Sequence, residues 1–149
     1  NTCTVVNKDK TVTLPTVQRS ALSSAGETAG VVPFTIDLTS CTPGADVSVY
    51  FEKDQYVSTE GRLKNTLSDG TEAENVDVEL LNTRFTPINL AETPAVAADG
   101  KVARLEAIPV AVAEQDGSAS LPFYARYYAT DAATAGKVAT YVNFTVVYP

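Results

Sequence analysis

The stretch Gly136-Lys-Val-Ala-Thr-Tyr-Val-Asn-Phe-Thr-Val-Val-Tyr-Pro149 decides the fold. Val138, Val142, Phe144, Val146 and Tyr148 occupy alternate positions, and Thr140 keeps the same phase. Lys137, Asn143 and Thr145 hold much of the other face. Side chains of an extended chain point alternately to opposite faces, so this pattern predicts a β-strand over residues 136–149 with one apolar side. Such a strand needs a hydrophobic core against that side and a hydrogen-bonding neighbour along each backbone edge. Which neighbours it has is the functional question.

Working back from the terminus, the same alternation recurs. Residues 11–17 carry Val12 and Leu14 in phase, and residues 32–38 carry Phe34, Ile36 and Leu38. Residues 46–51 have Val47, Val49 and Phe51; residues 75–81 have Val76, Val78 and Leu80; residues 120–128 have Leu121, Phe123, Ala125 and Tyr127. Asp69-Gly70, Asp99-Gly100, Asp116-Gly117 and Pro43-Gly44 separate these segments with residues suited to tight turns. Short strands punctuated this way predict an all-β fold, a β-sandwich with Greek-key connections. Residues 20–25 predict one helical turn in the polar stretch 19–30. Residues 93–114 are alanine-rich, but Pro94 and Pro109 interrupt them and Ile108, Val110 and Val112 alternate. The expectation there is an irregular stretch that ends in a strand.

Composition narrows the function. A chain of 149 residues, 44% of them hydrophobic, can bury a core as one domain. No apolar run approaches the ~20 residues a membrane helix needs, so direct membrane insertion is not expected. Eleven basic against eighteen acidic residues give a net charge of −7, which argues against nucleic acid as a partner. With no methionine and no signal-like stretch, the chain reads as a processed or trimmed product. Cys3 and Cys41 read as a disulfide formed in an oxidising compartment, with two buried thiols as the alternative.

The chain contains no histidine. This removes a Ser-His-Asp triad, a Cys-His pair and the usual zinc and copper sites, so neither metal nor cofactor is expected. Carboxylate pairs remain, at Glu72 with Glu74 and at Asp77 with Glu79. Two-residue spacing puts each pair on one outward strand face beside inward Val76, Val78 and Leu80, and a solvated sheet face is the expectation rather than a glycosidase cleft. Tyr124, Arg126 and Tyr128 share another strand face. They have the chemistry to stack on sugars or bases, but a cross-strand packing ladder is expected. Asn143-Phe-Thr145 is formally a glycosylation sequon, discounted because it lies inside the terminal strand.

Taken together, the chain resembles the pilin subunits of Gram-negative fimbriae assembled by the chaperone–usher pathway. The resemblance rests on Cys3-Thr-Val5, Val12-Thr-Leu-Pro-Thr-Val17, Ser20-Ala-Leu22, Pro33-Phe-Thr-Ile-Asp-Leu38 and Cys41. It continues through Ala73-Glu-Asn-Val76, Val78-Glu-Leu80 and Phe123-Tyr-Ala-Arg-Tyr-Tyr-Ala-Thr130. It ends on Gly136, fourteenth from the end, and on the penultimate Tyr148. It covers essentially the whole chain. Pilins of this family carry an alternating N-terminal extension ahead of the first cysteine, whereas only Asn1 and Thr2 precede Cys3 here. The expectation is one pilin domain, residues 1–149, of a major-type subunit trimmed of that donor strand. The pilin domain of a two-domain tip adhesin is the alternative, and a glycan-binding Ig-like module is a second one.

The resemblance implies an incomplete immunoglobulin-like sandwich that lacks its final strand. Val5, Val12, Leu14 and Val17 would line one wall of the resulting groove. Val138, Val142, Phe144, Val146 and Tyr148 would line the other, over a floor of Phe34, Ile36, Leu38, Val78, Leu80 and Phe123. Gly136, Tyr148 and Pro149 would form the chaperone and assembly motif, with the terminal carboxylate on Pro149. The implied partners are neighbouring fimbrial subunits, which supply a donor strand, a periplasmic chaperone and an outer-membrane usher. The implied location is the fimbrium on the extracellular cell surface, reached through the periplasm.

Overall fold

A computed structural model of the chain describes residues 3–92, 95–96, 98–103 and 106–149. Its strands are β1 (Thr4–Val5), β2 (Thr28–Thr39), β3 (Asp46–Phe51), β4 (Leu63–Lys64) and β5 (Val76–Leu81), then β6 (Ala95–Val96), β7 (Val102–Ala103), β8 (Val110–Ala111), β9 (Ala119–Ala129) and β10 (Phe144–Val147). The one helical element among the described residues is a 3-10 turn at Arg19–Leu22, within the polar stretch where a turn was predicted. No helix among the described residues is long and apolar enough to cross a membrane.

The strands form two antiparallel sheets, ordered β1-β2-β9-β5-β4 and β10-β3-β8, with β6 and β7 as a separate pair. Register follows the apolar alternation. β2 sets Phe34 opposite Phe123 and Ile36 opposite Leu121. β10 sets Phe144 opposite Phe51 and Val146 opposite Val49. A one-residue slip in either pair would turn every apolar side chain outward, so burial fixes the pairing. The Phe51 and Phe123 rings meet edge to face at 5.0 Å, joining the two sheets, and Phe34 stacks on Phe123 at 5.6 Å. Around this triplet Leu38, Val47, Val49, Leu80 and Leu121 are fully or almost fully buried. The all-β, immunoglobulin-like sandwich expected from the sequence is the fold observed.

Cys3 and Cys41 are joined by a disulfide, which removes the two-thiol alternative. In the chain-entropy account, a bridge closing a loop of this length stabilises by about 4 kcal/mol. It holds β1 against the end of β2, where Val5 pairs with Leu38. A bulge between Ala29 and Val32 interrupts β2. Gly30 sits there at φ 70°, and a Cβ on it would press on the Tyr127 ring at 2.9 Å. Only glycine combines that backbone with that clearance.

Three expectations need correction. Residues 11–17 form no strand, and the terminal segment is paired as a strand only over Phe144–Val147. The outer face of β5 is also not solvated. Asp77 and Glu79 are both 7% exposed. Arg62 Nε lies 3.2 Å from Asp77 Oδ2, and Arg126 Nη2 lies 2.7 Å from Glu79 Oε1. The aromatic residues on β9 complete the cover, as the packing-ladder expectation had it. The Arg62 guanidinium stacks on Tyr128 at 3.9 Å, Arg126 on Phe85 at 5.2 Å, and Phe85 packs edge-on against Tyr124 at 5.2 Å. Periodicity gives the face of these carboxylates correctly, but it carries no information about arginines that arrive from β9 and from the loop before β4.

Removing one member of a buried ion pair strands the other charge. Glu79→Ala is therefore expected to cost about 3 kcal/mol in urea unfolding, and the exposed Glu74→Ala less than about 0.5 kcal/mol; equal effects would restore the solvated-face picture. Burial raises the pKa of Asp77, and the Arg62 contact only partly opposes it. The Asp116 pKa is lowered by hydrogen bonds from Ser118. In an NMR titration Asp77 should protonate at higher pH than Asp116, and the reverse order would contradict this geometry. For Asp77 the native state binds the proton more tightly than the unfolded chain does. Its carboxylate therefore burdens stability above the native pKa and is relieved as pH falls through it.

Candidate functional site

The site is defined by missing backbone partners. Among the described residues, no backbone–backbone hydrogen bond ties residues 10–17 to a neighbouring strand. The Tyr127 hydroxyl, which donates to the Pro15 carbonyl at 3.0 Å, tethers them instead. Among the described residues, 137–143 are held along one edge only. Thr66 N–H donates to Ala139 O at 2.8 Å, Glu52 N–H to Asn143 O at 2.8 Å, and Ala139 N–H to Asn65 Oδ1 at 3.1 Å. Among the described residues β10 is likewise an edge strand, paired with β3 alone.

Between these two segments lies an apolar cavity of about 540 Å³. Val12 and Leu14 line one side and Val138, Thr140, Val142 and Phe144 the other. The bottom is the sandwich interior itself: Phe34, Ile36, Phe51, Leu63, Val78, Leu80 and Ala125. A second cavity of about 720 Å³ shares Tyr127, Val138 and Ala139 with the first and continues it past Val17, Leu22, Val76 and Gly136. The two run on as one groove. No carboxylate lines either cavity, and no cluster of metal-binding side chains occurs among the described residues. What the groove offers is apolar burial and backbone pairing.

The structure thus brings Val12, Leu14, Val138, Val142 and Phe144 to the first cavity and Val17 and Gly136 to the second. Val5, Val146 and Tyr148 line neither; they pack on the main core at the far end. There the residues flanking the first and last strands meet, with Cys3 N–H donating to the Tyr148 hydroxyl at 2.6 Å. Tyr148 N–H donates to Asp99 Oδ2 at 3.1 Å, and Pro149 is exposed. Of the floor expected from sequence, Leu38 and Phe123 are interior residues that the cavity does not reach. Phe51, Leu63 and Ala125 take their place. Leu63 sits on a strand of two residues, too short for any periodicity to reveal.

Gly136 has a steric role. A Cβ there would run into the backbone of Glu72 and Ala73. Close approach lets Ala73 N–H donate to Lys137 O at 2.9 Å and Lys137 N–H to Thr71 O at 2.8 Å. These bonds lay the start of the terminal segment beside the groove.

Residues 14–149 match the family model for FimA, type-1 fimbrial protein, A. The chain is 42% identical to the major fimbrial subunit SMF-1 of Stenotrophomonas maltophilia, over 99% of this chain and 85% of that protein. It is 38% identical to the F17 fimbrial protein of Escherichia coli, over 99% of this chain and 80% of that one. Among solved structures, a Burkholderia pseudomallei antigen and type I fimbria protein superposes with a TM-score of 0.60 at 26% identity, covering 99% of this chain and 88% of that one. The P pilus rod subunit PapA has the same fold at a TM-score of 0.58 and 16% identity, covering 99% of both chains.

Because the backbone at residues 72–73 cannot yield without losing its bonds to Lys137, Gly136→Ala should lower stability by about 1–3 kcal/mol, the usual cost of overpacking. An unchanged urea midpoint would show that the close approach is dispensable.

Proposed function

Because the chain belongs to the FimA family of type-1 fimbrial proteins, we propose that this groove is where a neighbouring subunit inserts a donor strand. The chain is a structural subunit of a fimbria and not an enzyme. The finer reading is a major-type subunit, with residues 1–149 forming one pilin domain that polymerises by donor-strand complementation and exchange. One observation carries it: two extended segments with free backbone edges flank an apolar cavity floored by the core. An extended peptide laid there would gain main-chain hydrogen bonds on both edges and insert alternate side chains into the interior.

Magnitudes support a durable joint. Four or five apolar side chains at ~1.5–3 kcal/mol each offer on the order of 6–15 kcal/mol before ordering costs. The inserted strand becomes part of the core, so release requires opening the core and the joint is kinetically stable. With one groove on each copy and one donor strand supplied by each untrimmed neighbour, the contact would be heterologous and non-closing, and would propagate as a filament. By its resemblance to chaperone–usher pilins, the subunit would first be held by a periplasmic chaperone that fills the groove and anchors the Pro149 carboxylate. The usher would then deliver it to the fimbrium on the cell surface. Pro149 has no N–H, so pairing along the terminal segment would stop at Tyr148.

Val142→Asp or Phe144→Asp places a charge on the groove wall, and either is expected to abolish both chaperone capture and incorporation into fimbriae. Exposed Asn143→Asp, on the opposite face, should leave both intact. Normal fimbriation of the Val142 and Phe144 variants would refute the groove assignment.

A further inference from the structure

The groove wall contains one polar group that is out of place. Thr140 stands in the inward phase between Val138 and Val142, and its Oγ1 is buried without a hydrogen-bond partner. The other hydroxyls around the cavity are provided for. Tyr127 donates to Pro15 O, while Thr11, Thr13 and Tyr141 are exposed to water. A buried hydroxyl with no partner is unfavourable, and replacing it by a methyl of similar shape is ordinarily neutral or better. Thr140 lines the cavity, and its Oγ1 is closed off from solvent. Rotation about χ1 exchanges hydroxyl and methyl among staggered positions and can turn the oxygen toward whatever fills the groove.

We propose that Thr140 determines specificity in the groove, selecting a strand that presents a small hydrogen-bonding side chain, such as serine, at the one inward position facing it. The remaining inward positions face only apolar walls and take apolar side chains. This rests on the strand-accepting reading of the groove and adds the chemistry of one register position. Selection arises from asymmetry: a polar group opposite Thr140 pairs a hydroxyl that is otherwise wasted, whereas the same group one pocket along is buried unpaired. A one-pocket slip would then lose twice over, and Thr140 would fix the register of the inserted strand as well as its sequence.

The test is a serine scan. A nonapeptide of alternating valine and threonine, with valines inward, is titrated calorimetrically into the full 149-residue chain, and serine then replaces each inward valine in turn. In the native chain one serine peptide should bind at least as tightly as the parent, while the others lose roughly tenfold, about 1.4 kcal/mol. With Thr140→Val that exception should vanish, and every serine should cost the same. A uniform serine penalty in the native chain would overturn the proposal while leaving the groove reading standing. So would an exceptional position that survives Thr140→Val. Failure of the parent peptide to bind the native chain, or binding unaffected by Val142→Asp, would instead overturn the groove reading beneath it.

Discussion

The constraint on which the structure depends is the unmet hydrogen bonding of two backbone edges lying over an uncovered strip of core. Backbone N–H and C=O groups are almost always paired when buried. Here residues 10–17 and 140–142 stand beside Phe34, Ile36, Val78 and Leu80 with no strand between them among the described residues. Neither segment can reach the other, since each is tied down on its far side. Pro15 is held by Tyr127, and Lys137 and Ala139 are held by residues 65–73. The groove is therefore built into the packing. The rest of the sandwich, with Phe51 and Phe123 joining its sheets and the Cys3–Cys41 bridge fastening its first strand, serves as a rigid frame around it.

That frame explains why the ends of the groove differ. At one end Cys3 meets Tyr148, β10 is paired with β3, and the interior is closed. At the other the groove runs past Val17, Leu22 and Gly136, lined by small alanines from residues 133–139. Exposed sheet edges normally invite aggregation; under the proposed function, a neighbouring subunit's strand would cover these.

Much of this was legible in the sequence because burial imposes period two. The strands over β2, β3, β5 and β9 lie within a residue or a few of where alternation put them, since each has a neighbour on both sides or a full face of core. The helical turn near Ser20 and the glycine turns were legible from local chemistry alone. Legibility ended where tertiary context decides. Residues 11–17 and 136–143 alternate as strands do, but alternation reports which face is buried and says nothing of whether an edge has a partner. Asp77 and Glu79 were given the correct face and the wrong environment, because Arg62 and Arg126 are distant in sequence. Leu63 and Phe51 join the groove through topology, and the unpaired hydroxyl of Thr140 is a product of tertiary packing.

The most direct measurement is amide hydrogen exchange at residues 12, 14, 140 and 142, compared between the isolated chain and the assembled fimbria. These amides should exchange almost freely in the isolated chain while those of β9 are protected. In the fimbria they should become as slow as β9. Strong protection at all four positions in the isolated chain would mean that their backbone is already paired from within, and the account of an unfinished sandwich would be wrong.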